Sequence, residues 1–189
     1  MFVVGGAAIA VAYDTARRTR DVDAVFSDSA ETYEAARVVA RRMGLPRDWL
    51  NVTVRSYLIG PDDDRVRLLE SGSLSVAVGS APYVLALKML AGRVEQDHGD
   101  IRLLYRVLGL QSWEDGVDVL ERYLPADDVP LDAIELLQAM FPPRSELLGP
   151  DTDHRRRDPV GRCRVCGRAL RSPTSRAAGV GPKCSERAP

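Results

Sequence analysis

The chain has 189 residues, of which 45% are hydrophobic and 28% charged, and its formal net charge is −1. That length suits one domain with a sizeable core plus a small appendage. No apolar run reaches the roughly 20 residues a membrane span needs, and no basic leader opens the chain, so the expectation is a cytoplasmic protein without a membrane contact.

In chain order, residues 2–4 read as the end of a short strand, and Gly6 to about Ala16 as an Ala-rich helix. Val22–Phe26 alternates like a strand. Ser29–Met43 places Tyr33, Ala36, Val39, Ala40 and Met43 at helical spacing, with Gly44 as the stop. Asn51–Ile59 alternates again and predicts a strand. The G-P-D-D-D turn at 60–64 follows, then two strands, Arg65–Leu69 and Leu74–Val78. From there the pattern is helical: Ala81–Arg93, Asp97–Leu108 ended by Gly109, Ser112–Tyr123 opened by a capping-box-like Ser112…Asp115, and Val129–Met140. F-P-P at 141–143 breaks the periodicity. The expected organisation is α+β: a small mixed sheet with flanking helices over about 1–80, a helical part over about 81–141, a linker over 142–161, and a cysteine module over 162–187.

Two short motifs stand out near the start. Asp21 and Asp23 lie one residue apart, fifteen residues after the glycine pair Gly5-Gly6. On a strand, residues i and i+2 share a face, so both carboxylates would project together, with Val22 turned into the core. Paired carboxylates repel unless a cation sits between them, and Mg²⁺ or Mn²⁺ with a few carboxylate oxygens and substrate phosphates answers that need. A glycine pair at a strand-to-helix turn exposes backbone N–H groups to a phosphate at the positive helix end. Either motif alone also reads as a solvated strand edge or a plain turn.

G-G-x(10)-R-R-T-R-D-V-D resembles the first motif of the nucleotidyltransferase superfamily related to DNA polymerase β, nearest the branch of AbiE-type abortive-infection toxins. V-L-A-L-K-M-L-A-G-R at 84–93 resembles that branch's lysine helix, and D-H-G-D-I at 97–101 its later acidic motif. The resemblance spans about residues 2–125. It implies a nucleotidyltransferase fold and transfer of a nucleotide from an NTP to an acceptor hydroxyl on RNA, tRNA or protein, with pyrophosphate released. It also implies the setting of a toxin–antitoxin or phage-defence system, with an antitoxin protein as partner.

In that frame Asp21 and Asp23 hold the metal, and Gly5 and Gly6 hold phosphates. Arg17 or Arg18, Thr19 and Arg20 approach the triphosphate. Lys88 contacts phosphate or the departing pyrophosphate, Asp100 (with Asp97 second) orients Lys88 or caps its own helix, and Arg93 adds a phosphate contact. Lys88 equally reads as a side chain snorkelling from a core helix. A third carboxylate, common in the superfamily, is missing from 52–58; Glu70 is the nearest candidate and the turn Asp62–Asp64 a weaker one. Related chains carry a helix and a longer strand ahead of the glycine pair, which leaves open a start upstream of Met1. A nucleotide-binding module without turnover remains the competing reading.

The tail has its own character. Residues 151–189 carry ten Lys/Arg against four Asp/Glu, a surplus of six, while residues 1–150 carry 16 basic and 23 acidic groups. Such a basic tail fits a nucleic-acid contact, a docking surface or a solvated linker. Cys163 and Cys166 form C-x2-C-G, and Cys184 follows in G-V-G-P-K-C. Two thiolates on one tight turn are half a structural zinc site. His154 is the first candidate for a fourth Zn²⁺ ligand, with Asp158, Glu186 or Ser175 behind it. The tail resembles a three-cysteine module of unknown function, and a third reading makes the chain a zinc-tethered interaction protein.

Overall fold

A computed structural model describes residues 1–26, 30–72 and 74–147. The chain divides after Arg144: Met1–Arg144 forms one compact unit, and beyond it only residues 145–147 are described. The four candidate zinc ligands, His154, Cys163, Cys166 and Cys184, lie outside the described residues.

The unit is α+β with a mixed five-stranded sheet. Its strands are β1 (Phe2–Val3), β2 (Val22–Val25), β3 (Leu50–Asn51), β4 (Val66–Ser71) and β5 (Leu74–Val78), in the order β3-β2-β1-β5-β4. β1 is the central strand, antiparallel to β2 and parallel to β5; β3 runs parallel to β2, and β4 forms a hairpin with β5. The helices are α1 (Gly5–Ala12), α2 (Ala30–Met43), α3 (Ala81–Leu90), α4 (Val94–Leu108), α5 (Trp113–Leu120), α6 (Leu131–Met140) and α7 (Arg144–Leu147). None of the described helices is long and apolar enough to cross a membrane.

The elements form where local chemistry favours them. Ser80 caps α3 by accepting from the Tyr83 N–H, and Pro82 sits in the first turn, where its missing N–H costs nothing. Buried Asp62 accepts from both the Ser80 N–H (2.7 Å) and the Ser80 hydroxyl (2.8 Å), so one member of the acidic turn is a structural anchor. Ser112 and Asp115 form the full capping box of α5, and Gly109 ends α4 at φ +69°.

One apolar core joins α1 to the helical half: Ile9, Val84, Leu85, Met89, Ile101, Leu104, Leu120 and Leu137 are all essentially inaccessible. Each such side chain contributes about 1.5–3 kcal/mol of transfer free energy. A smaller cluster of Val3, Ala7, Ala24 and Phe26 packs nearby, with Val22 against it. The predicted alternation of β2 therefore holds: Val22, Ala24 and Phe26 enter the core and Asp23 faces away from it.

Three expectations change. Residues 51–59 do not form a strand: β3 is two residues long, and Thr53–Tyr57 is a 3₁₀ turn. The Asn51 side-chain oxygen takes the Thr53 N–H at 3.2 Å, an Asx turn that pulls the chain out of the ladder. The expected stripe of α2 is only partly covered, since Ala40 is buried but Tyr33 and Met43 are exposed. The expected linker starts too early, because Arg144 ties back to α5, its Nη2 2.7 Å from both Asp115 and Asp118. Phe141 stacks on Tyr105 with ring centres 3.7 Å apart.

Candidate functional site

A cavity of about 340 Å³ opens where α1, β2, the 3₁₀ turn and the α3–α4 junction meet. Gly5 and the charged Asp23, Lys88, Arg93 and Asp97 line it together with the apolar Val54, Leu87, Leu90 and Ala91. Four stretches far apart in sequence thus contribute to one hollow.

Gly5 is required where it stands. Its φ is +63°, and a Cβ there would lie 2.7 Å from the Asp23 Oδ2. A positive φ disfavours every residue with a side chain, and the missing Cβ is what lets the Asp23 carboxylate lie against the helix start. The Val4 N–H bonds the Asp23 carbonyl at 2.9 Å, which fixes α1 to β2. α1 has no side-chain cap at Val4, and the first N–H groups of an α-helix have no partner within the helix. Gly6 lies against Thr19, whose hydroxyl oxygen would stand 3.1 Å from a Cβ. The same hydroxyl donates to the Asp21 carbonyl at 3.0 Å.

Asp21 and Asp23 separate in role. Asp23 is inside β2 and lines the cavity; Asp21 precedes the strand, is exposed, and does not line it. Of the two, only the Asp23 carboxylate is set against the glycine turn, where a hard divalent cation taking a few carboxylate oxygens, water and phosphate would find a ligand. Among the described residues no group of three or more His, Cys, Asp or Glu gathers as a metal site. Glu70 lies on edge strand β4, with β1 and β5 between it and β2, and 3.6 Å from Arg67. Neither it nor the Asp62–Asp64 turn lines the cavity.

The cationic side of the site is an ion lattice. Lys88 on α3 pairs with Asp97 and, at 2.9 Å, with Asp100, both on α4. Arg17, from the loop before β2, forks onto Asp100 through Nε at 2.8 Å and Nη2 at 3.0 Å. The side chains of Asp97 and Asp100 are 8% and 6% exposed and that of Lys88 14%, so removing one partner would leave a buried charge uncompensated. Burial pushes the Asp100 carboxyl up, but the hydrogen bonds from Arg17 and Lys88 outweigh it and hold the group below its ordinary value. Lys88 is thus no snorkelling side chain.

Arg93 lines the cavity and makes no ion pair among the described residues. Arg18 and Arg20 are exposed and outside it, the Arg18 carbonyl taking an Arg17 N–H at 2.8 Å. Sequence reasoning missed Thr53, Val54 and Tyr57 as lining residues because it read 51–59 as strand. The signal was present in Asn51 two residues before Thr53.

Residues 153–188 match a family described as a family of unknown function (DUF6011). That stretch holds all three cysteines and His154. No curated protein and no solved structure matches the chain.

Proposed function

We propose that Met1–Arg144 is a metal-dependent nucleotidyltransferase domain of the DNA polymerase β-like kind, moving a nucleotide from an NTP to an acceptor hydroxyl. The observation that carries this is a single cavity whose wall holds Gly5 and Asp23 from the first motif, Lys88 and Arg93 from the lysine helix, and Asp97 from the later acidic motif.

In this reading the α1 N-terminus and the two glycines receive phosphate oxygens through backbone N–H groups. Asp21 and Asp23 would hold Mg²⁺, which would supply charge neutralisation for the leaving pyrophosphate. Lys88, kept in place by Asp97 and Asp100, presents a positive charge at the cavity wall, and Arg93 adds a second. The acceptor hydroxyl forms a bond to the α-phosphorus as the bond to the pyrophosphate oxygen breaks. RNA, tRNA or a protein side chain serves as acceptor, and an antitoxin would be the natural protein partner of a toxin built this way. Zn²⁺ on Cys163, Cys166 and Cys184, with His154, would order the tail.

A second reading keeps nucleotide binding without turnover. It is favoured by Lys88, whose charge is already matched by two buried carboxylates. Transfer of labelled nucleotide from each of four NTPs to total RNA or protein decides between them. Wild type should label an acceptor and Asp23→Asn should not. Binding without any transfer favours the second reading, and no binding of any NTP sinks both.

A further inference from the structure

The cavity has more apolar wall than a triphosphate and a metal can use. Among its lining residues, Val54 stands on the 3₁₀ turn, and Leu87, Leu90 and Ala91 stand on α3 and just beyond it. Phosphate oxygens gain nothing from such a surface. A flat heterocycle does, because its faces are apolar and its burial is favourable.

Tyr57 is the aromatic side chain among the residues lining this cavity, and it is 67% exposed. Its hydroxyl has no hydrogen-bond partner among the described residues. An aromatic ring at a cavity rim, neither packed nor hydrogen-bonded, has its face free for a ligand. The turn that carries it is held firmly. The Arg55 N–H bonds the Val52 carbonyl at 2.9 Å, and the Ser56 hydroxyl bonds the Thr53 carbonyl at 3.0 Å. Arg55 Nη2 reaches the Phe26 carbonyl at 3.0 Å, which ties the turn to the residue that follows β2. Tyr57 therefore stands on backbone fixed relative to Asp23.

We propose that Tyr57 is the stacking platform for the base of the bound nucleotide, with Val54 and the α3 wall completing its apolar slot. This rests on the nucleotide reading of the cavity above and extends it to the base. Besides the Tyr57 hydroxyl, Thr53 is the one neutral polar side chain in the lining, too little to read base edges. Stacking accepts every base because each has a π-face. Binding should therefore tolerate all four bases and favour purines, whose faces are larger.

The test is calorimetric titration of the full chain, in Mg²⁺, with ATP, CTP and inorganic tripolyphosphate, for wild type, Tyr57→Ala and Tyr57→Phe. Wild type should bind ATP more tightly than CTP, and both more tightly than tripolyphosphate. Tyr57→Ala should weaken ATP by about tenfold or more, the loss of one base–aromatic stack, without changing tripolyphosphate affinity or the melting temperature. Tyr57→Phe should bind like wild type. Equal ATP affinity in wild type and Tyr57→Ala overturns the proposal, as does wild type that binds ATP no more tightly than tripolyphosphate. Either result leaves the phosphate end standing. Wild type that binds none of the three overturns the nucleotide reading itself, and this proposal with it.

Discussion

Arg17 grips Asp100 through two parallel hydrogen bonds, 2.8 and 3.0 Å long, across 83 residues of sequence. The fork ties the loop that leads into β2 to α4, and through the shared Asp100 it also reaches Lys88 on α3. The two halves of the unit are thus locked together beside the cavity by charge as well as by the apolar core.

Asp100→Asn removes the negative charge that both cations use while keeping the shape. The buried lattice is left with excess positive charge, and the expected loss is about 3 kcal/mol, read as a lower urea midpoint. Arg17→Lys keeps the charge but loses the fork, and should cost less than Asp100→Asn in the same titration. If both variants unfold with the wild-type midpoint, the lattice does not support the fold.

Gly5→Ala puts a methyl 2.7 Å from the Asp23 Oδ2 at a residue with φ +63°. The left-handed backbone alone costs about 1–2 kcal/mol, and the carboxylate must also move. Stability should fall modestly and Mg²⁺-dependent nucleotide binding severely. Gly6→Ala meets only the Thr19 hydroxyl at 3.1 Å and should be milder in both readouts.

Gly116 on α5 lets the Tyr105 ring pass. A Cβ there would lie 2.0 Å from the Tyr105 hydroxyl oxygen and 2.8 Å from a Leu137 methyl. Overpacking of this kind costs about 1–3 kcal/mol, so Gly116→Ala should lower the melting temperature by several degrees. Adding Tyr105→Phe removes the closest atom and should recover part of the loss, whereas Leu137 remains in the way. Additive losses in the double variant would contradict this packing.

Acid should unfold the chain in a definable window. Burial pushes the Asp115 carboxyl up, but the backbone N–H groups of Gln111 and Ser112, then Arg144 and the Ser112 hydroxyl, hold it down, from 3.8 to about 2. Asp100 is lowered as well. A depressed acid contributes stability above its unfolded value and loses it as pH falls through the folded one, so stability should drop between about pH 4 and pH 2. Arg144→Ala should move the acid midpoint upward in a circular-dichroism titration.

Alkali acts through the tyrosines. Burial, and then the charge of Asp62, raise the Tyr13 phenol from 10.0 to about 12, and its hydroxyl donates to the Gly79 carbonyl at 2.7 Å. A raised folded value means the contribution is complete below pH 10.0 and is lost as pH rises towards about 12. Phenolate absorbance should therefore rise late and together with unfolding, and Tyr13→Phe should ionise one fewer buried phenol in that step.

Much of the fold was legible because its signals are local. The Ser80-Ala81-Pro82 helix start, the Ser112–Asp115 capping box and the Gly109 stop act within one turn of chain, and each appears where its residues predict it. The alternation of Val22, Ala24 and Phe26 likewise placed Asp23 on the face away from the core. The 51–59 stretch failed because alternation competes there with the Asn51 side chain, which satisfies the Thr53 N–H and diverts the backbone.

Pattern along the chain was enough for an α+β unit and for candidate residues named motif by motif, although it ran α1, α3 and α5 about three or four residues past their C-terminal ends. Which of the candidates meet depends on packing. It brought Gly5, Asp23, Lys88, Asp97 and Arg93 to one cavity and left Asp21, Arg18 and Glu70 outside it. It also decided that Lys88 is shared by two buried carboxylates. The physical reason is that local pattern follows from hydrogen bonds and burial within a few residues, whereas an ion pair across 83 residues depends on how the sheet and helices pack.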